Sequence, residues 1–113
     1  MLEQKLRELM EKFNRKVSED EKLQKELEGK NRSFLLELKE GKTFSWHLRN
    51  GKIEEFNEGK IENPDVRVIS DEKTIMDLFE KKMGPMKALA TKKLVLKGKI
   101  DDLLQLKKFF FSK

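Results

Sequence analysis

The chain has 113 residues, no cysteine, a single histidine and a formal net charge of +5. That length fits one domain with one core, and the lack of cysteine excludes disulfides and thiolate chemistry. Hydrophobic residues make up 36% and charged residues 42%; because the apolar residues are patterned, this predicts a folded domain rather than a disordered chain.

The abundance of Lys and Glu resembles proteins from hot environments. The opening stretch MLEQKLRELMEKF is charged throughout, so it reads as neither a signal peptide nor a membrane span. Asn31-Arg32-Ser33 matches a glycosylation sequon, with nothing to send it through a secretory route. The end, Phe-Ser-Lys, lacks the final Leu of a peroxisomal address. The expectation is a cytoplasmic protein forming one domain over residues 1–113.

Leu2, Leu6, Leu9, Phe13 and Val17 step by three or four and predict an amphipathic helix. Ser18 to Glu21 matches a capping box, so a second short helix is expected with Leu23 and Leu27. Gly29 is its expected stop. The period then changes to two. Phe34, Leu36 and Leu38 alternate with Ser33, Leu35 and Glu37, and Glu40-Gly41-Lys42 makes a turn. Phe44, Trp46 and Leu48 share one face of the next strand, and Ser45, His47 and Arg49 the other. His47 is therefore expected to be exposed. Asn50-Gly51 is a two-residue hairpin signal, since both positions tolerate positive φ. Ile53 and Phe56 differ in parity, which predicts a bulge. After a loop from Gly59 to Pro64, Val66, Val68 and the opposite-facing Ile69 give a fourth strand. Together these predict an antiparallel meander with one apolar face.

Ser70 and Asp71 are suited to cap a helix bearing Ile75, Leu78 and Phe79 on one side. Gly84-Pro85 breaks it, and Pro85 opens a new helical turn with Met86, Ala88 and Leu89. Leu94 and Leu96 mark a fifth strand closed by Gly98, and a last helix runs from about Lys99 to the end. Residues 1–30 carry 8 basic and 8 acidic groups, residues 31–70 carry 7 and 7, and residues 71–113 carry 11 and 6. The whole excess lies in the last third, where it is suited to anionic ligands or membrane surfaces.

With these elements in order, the chain resembles the sterol carrier protein type 2 domain family, as a stand-alone prokaryotic member. The resemblance rests on Pro64-Asp65-Val66 followed by Ser70-Asp71-Glu72, on Pro85 and Lys87-Ala88, on Lys93-Leu94 and on Leu96-Lys97-Gly98, with the Gly41 and Asn50-Gly51 turns in place. The chain departs from the family pattern at Met86, Lys92 and Val95, the last predicting a fifth strand covered on both faces. The resemblance implies an α+β fold: a five-stranded, mainly antiparallel sheet with helices packed on one face and an apolar tunnel between the layers. It also implies a non-enzymatic lipid carrier for fatty acids, acyl-coenzyme A, sterols or other apolar ligands, with no cofactor and no metal.

The residues bear on that expectation directly. On the last helix Ile100, Leu103, Leu104, Leu106, Phe109, Phe110 and Phe111 spread over roughly 220°. This is wider than one core contact requires, and it reads either as tighter burial between the sheet and its neighbours or a dimer contact, or as a surface that lines or lids a cavity. Lys107 falls inside the arc, either snorkelling to water or meeting an anionic head. The expected tunnel wall is Trp46, Phe56, Ile75, Leu78, Phe79, Met83, Met86, Leu89, Leu103, Leu104, Phe110 and Phe111; Met residues suit a pocket that reshapes. Lys92, Lys93, Lys97 and Lys107 are the expected head-group or membrane contacts. Burial of about fifteen methylenes would contribute roughly 12 kcal/mol gross, so affinity needs no polar motif.

An enzyme is disfavoured: one His, no Cys and no phosphate-loop pattern leave few nucleophiles or ligands. Asp101-Asp102 reads as helix N-terminal charge. A nucleic-acid binder is disfavoured because the Phe residues sit at core spacing. The remaining alternative is an interaction module or an accessory domain to a lipid-metabolising enzyme, including a homodimer through Leu35, Val95 and the C-terminal Phe cluster.

Overall fold

The structure, a computed structural model, describes residues 2–108. Helix α1 (Leu2–Ser18) buries Leu2, Leu6, Met10, Phe13 and Val17. Steps of four, four, three and four keep this stripe against the sheet, and Leu9 falls to its half-buried flank. Ser18 closes α1 and does not cap α2 (Glu21–Leu27). Asp20 does so, accepting from the backbone N–H groups of Lys22 and Leu23 at 2.9 and 3.2 Å. A carboxylate two positions nearer the helix displaces the expected capping box.

The sheet comprises β1 (Asn31–Leu38), β2 (Thr43–Arg49), β3 (Lys52–Glu58), β4 (Val66–Ser70) and β5 (Val95–Gly98). Its order is β3-β2-β1-β4-β5. Three pairs are antiparallel, but β4 runs parallel to β1. The expected meander is therefore wrong at β4, which bypasses β3 to lie beside β1. The bypass is pinned at its entry. Asp65 Oδ2 accepts from Ser33 N at 2.8 Å, and Ser33 Oγ accepts from Asp65 N at 3.0 Å. These bonds tie the end of the 59–65 loop to the start of β1, so Val66 pairs with Phe34. At the same junction Gly98 has φ +153, and a Cβ there would lie 2.8 Å from the Asp65 carbonyl oxygen. Only glycine lets β5 close on β4 at that point.

The predicted hairpin and bulge are both present. Asn50 and Gly51 have φ of 50 and 83°, the signature of a tight primed turn. Asn50 Oδ1 also accepts from Gly29 N at 2.8 Å, joining the turn to the end of α2. In β3 the register shifts opposite Ser45/His47, and Glu55 has φ 55°. The free edge of β3 is partly satisfied by Asn14, which accepts from Ile53 N at 2.7 Å and donates to Ile53 O at 3.0 Å.

Phe34, Leu36, Leu38, Phe44, Trp46, Leu48, Ile53, Val66 and Val68 supply the inner sheet face, and the core forms between them and the helices. The outer face carries the Arg67–Glu37 pair at 2.6 Å and the Arg49–Glu55 pair at 2.6 Å. His47 is not exposed as expected; it is half-buried there, with Nδ1 3.4 Å from Glu55. Hydrogen bonding to Arg49, against the smaller effect of burial, holds the Glu55 carboxyl below its ordinary value. Leu35 also points to this face yet is buried within the chain, so it has no area to give a partner. Val95 is half-buried, not covered on both faces.

Helix α3 (Glu72–Phe79) begins at Asp71, which accepts from Thr74 N at 2.7 Å and Thr74 Oγ1 at 2.9 Å. Ser70 takes no part in the cap; it is buried and donates to the Lys93 carbonyl at 2.7 Å. Gly84 caps α4 (Pro85–Ala90), and α5 spans Ile100–Leu106. Burial raises the Asp71 carboxyl, but the bonds from Thr74 and the nearby Lys39 and Lys93 outweigh it and hold the group below its ordinary value. A depressed carboxylate adds stability above its unfolded pKa of about 3.9 and loses it as pH falls through the folded value. Asp71→Ala is expected to cost about 1 kcal/mol at neutral pH. Urea unfolding at a series of pH values should show the gap to wild type narrowing only below about pH 4.

Candidate functional site

The apolar interior holds two small voids that share a wall at Leu106. One, of about 30 Å³, is lined by Leu6, Leu9, Met10, Leu36, Trp46, Val68, Ile75, Phe79 and Leu106. The other, of about 20 Å³, is lined by Phe13, Leu27, Arg32, Phe34, Leu48, Asp102, Gln105 and Leu106. Each is about the size of one water molecule. Among the described residues the expected tunnel is not present as one continuous space; two small, partly open pockets border Leu106 instead. An open groove of about 860 Å³ lies elsewhere, between α1, α2 and the β2–β3 turn, and polar residues such as Glu21, Gln24, Lys25 and Glu28 line it. It is no site for an apolar chain.

Of the expected wall residues, Trp46, Ile75 and Phe79 meet at the larger void. Trp46 stacks on Phe34 at 5.5 Å between ring centroids. Phe56 packs near it, 5.7 Å from Phe44 and 6.1 Å from Trp46, under the Arg7 guanidinium at 4.8 Å. Leu78, Met83, Leu89 and Leu103 pack half-buried against the same core. Met86 and Leu104 do not: they are 63% and 59% exposed, beside Ile100 at 74%. Phe110 and Phe111 lie outside the described residues.

Asp101 and Asp102 lie in the first turn of α5 as expected. Leu104 is turned outward, and Asp102 is in addition buried, at 5% exposed. Its carboxylate accepts from Arg32 Nε at 2.8 Å. The helix thus presents Asp102, Leu103 and Leu106 inward, leaving Ile100 and Leu104 outside. The hydrogen bond to Asp102, against desolvation and aided by the charges of Asp102 and Asp65, holds the Arg32 guanidinium above its ordinary value. No periodicity signals this pair, because its members are 70 positions apart. Leu36, Val68 and Leu106 were legible as apolar-face residues without any mark of a void, and Met10 was missed because the spacing places Leu9 on the stripe instead.

The four expected cations do not gather at one place. Lys107 is half-buried, with Nζ 3.1 Å from Met86 Sδ. Lys92 and Lys93 are exposed at the other end of α4. Lys97 pairs in register with Arg67, which places it on the outer sheet face. Lys108 meets Glu26 at 2.9 Å. Among the described residues no group of three or more His, Cys, Asp or Glu could hold a metal ion, and no helix is long and apolar enough to cross a membrane.

Asp102→Ala leaves Arg32 without its buried partner. Because the Arg32 side chain is 34% exposed, water offsets much of the loss, and the expected cost is about 1–2 kcal/mol. Thermal unfolding checks the cost, and hydrogen exchange should show faster opening of the α5 amides than of those in β1.

Known proteins share this architecture. Sterol carrier protein 2 superimposes with a TM-score of 0.60 at 20% identity, covering 90% of this chain and 84% of that one. A palmitated sterol carrier protein 2-like 2 from Aedes aegypti gives 0.58 at 20% identity, covering 88% of each chain. The sec-alkylsulfatase Pisa1 from Pseudomonas sp. gives 0.63 at 17% identity over 80% of this chain, which spans only 14% of that enzyme's length. No curated protein sequence matches the chain. The sequence pattern of the SCP-2 sterol transfer family matches residues 5–111, and the chain belongs to that family.

Proposed function

We propose that this protein is a non-enzymatic cytoplasmic lipid carrier, binding a fatty acyl chain, an acyl-coenzyme A, a sterol or a similar apolar ligand between α1, α3, α5 and the inner sheet face. The observation that carries the reading is the pair of voids meeting at Leu106. In this reading withdrawal of that side chain would join an apolar pocket to one edged by Arg32, Asp102 and Gln105, and family membership supports a lipid ligand. Leu106 sits on the short helix α5, whose displacement would open the space. As α5 lifts, Asp102 leaves Arg32, whose guanidinium then faces the opened space and suits an anionic head. Of the expected cations, Lys107 stands nearest this helix; Lys92, Lys93 and Lys97 serve more remotely, by long-range attraction.

Delivery requires contact with a bilayer. Met86, Ile100 and Leu104 are the large exposed hydrophobics, with Lys107 against Met86. Apolar side chains beside a cation suit an anionic lipid surface. A second reading rests on one observation: the same fold forms 14% of the alkylsulfatase. In that case the chain is an accessory domain that presents lipid to a separate enzyme.

Native mass spectrometry of protein purified without detergent should reveal co-purifying lipid, and the protein should take up a fluorescent fatty acid. Leu106→Trp, which fills the joint between the voids, should weaken uptake about tenfold, equivalent to about 1.4 kcal/mol. Wild-type protein that carries no lipid and takes up none sinks the proposal.

Leu104→Glu should reduce binding to vesicles containing phosphatidylserine, measured by co-sedimentation, and leave fatty-acid uptake in solution unchanged. Binding by the wild type should weaken as salt rises.

A further inference from the structure

Trp46 is the chain's single tryptophan. It stands opposite the β3 bulge, where Ser45 pairs with Asn57 and His47 with Glu54. The residue is 5% exposed. Its indole N–H is buried and has no hydrogen-bond acceptor among the described residues. An indole can only donate, and a buried donor without an acceptor is a standing cost that native interiors rarely tolerate. Packing does not require it. Stacking on Phe34 and contact with Phe56 would be served by a ring without a donor.

The same side chain lines the larger void, whose other walls are Leu, Met, Ile, Val and Phe side chains. A water molecule there would find too few polar partners, since a buried water needs two to four. The void also lacks a cation, so a carboxylate would be desolvated without compensation. What suits the site is a neutral oxygen carried in by something otherwise apolar.

We infer that the protein's ligand is an oxygenated lipid with a neutral acceptor, such as a ketone, ester carbonyl, ether or hydroxyl, within its apolar body, and that Trp46 Nε1–H donates to it. This rests on the lipid-carrier reading and sharpens it. Apolar burial binds a wide range of chains; the indole selects among them by where the oxygen lies. A site built around a hydrogen bond rejects the analogue that lacks it more strongly than a greasy pocket rejects one extra methylene.

The single tryptophan gives one indole N–H resonance in the ¹⁵N-labelled full chain. The probes are dodecane and a series of dodecanones with the carbonyl moved from the end to the middle. One ketone is expected to bind about tenfold more tightly than dodecane and to shift the indole resonance downfield, which dodecane does not. Trp46→Phe is expected to lose the preference. Equal affinity for ketones and dodecane, or a preferred ketone that leaves the indole resonance in place, overturns the inference and leaves the carrier reading intact. Binding of none of the probes overturns the inference, and the carrier reading then stands or falls with fatty-acid uptake. Should Trp46→Phe fail to fold, the wild-type affinity ratio and resonance decide alone.

Discussion

The fit of Leu106 between two voids is the constraint on which the rest of the interior depends. An empty apolar cavity costs about 24 cal/mol per Å³. A cavity of about 300 Å³, the lower end for small-molecule sites, would then cost about 7 kcal/mol. That equals a large share of the 5–15 kcal/mol that holds a whole domain together. A chain of this length cannot keep such a space open with nothing in it. Collapse onto one leucine is the outcome expected of a small lipid site, and a closed interior is compatible with a ligand that enters as α5 leaves.

Closure has its own requirements, and Asp102 supplies them. Seven residues of helix have little stability alone. The carboxylate of Asp102 on Arg32 and the side chain of Leu106 in the core sit one turn apart on the same face of α5. One fixes where the helix lies and the other what it fills. Asp102 is buried, while Arg32 keeps 34% of its side chain exposed, so water screens the guanidinium end of the pair. The opposite arrangement holds at the Asp65 junction. There β1, β4 and β5 meet through Ser33, Asp65 and Gly98, and any movement would break backbone pairing in three strands. The sheet junction is held by backbone pairing, whereas α5 is held by side chains, through Asp102 on Arg32 and Leu106 in the core.

Local features were legible in the sequence. The helix stripe, the Asn50-Gly51 turn, the bulge announced by Ile53 and Phe56, the Asp71 cap and the Gly84-Pro85 break all follow from residue type and spacing within a few positions. The parallel placement of β4 was not legible from pattern alone. Val66 and Val68 offer the same apolar face to β3 as to β1, and the Asp65–Ser33 contact that ties β4 to β1 joins residues 32 positions apart. Asp102 was legible as charge in the first turn of a helix, but its burial against Arg32 was not, because nothing local reveals Arg32 opposite. A helical arc as wide as that of α5 has two explanations, a cavity wall or an exposed contact surface. Leu106 takes the first role, and Leu104 is turned outward.

Affinity and selectivity then have separate physical sources. Burying a hydrocarbon chain is favourable whatever its identity, because the hydrophobic effect is non-directional. A pocket of Leu, Ile, Phe and Met side chains that re-forms around its content discriminates weakly, and charge on the surface acts on the head group and the bilayer but not on the buried body. Discrimination within the body has to come from a directional group placed where water is excluded. Arg32 borders the smaller pocket but is engaged by Asp102; on the inner sheet face the described residues offer one buried donor without a partner, the indole of Trp46. The other buried side-chain nitrogen without a hydrogen bond, His47 Nδ1, lies on the outer face near Glu55 and cannot contribute. A carrier with a yielding wall and a single fixed donor would accept many chains and prefer few.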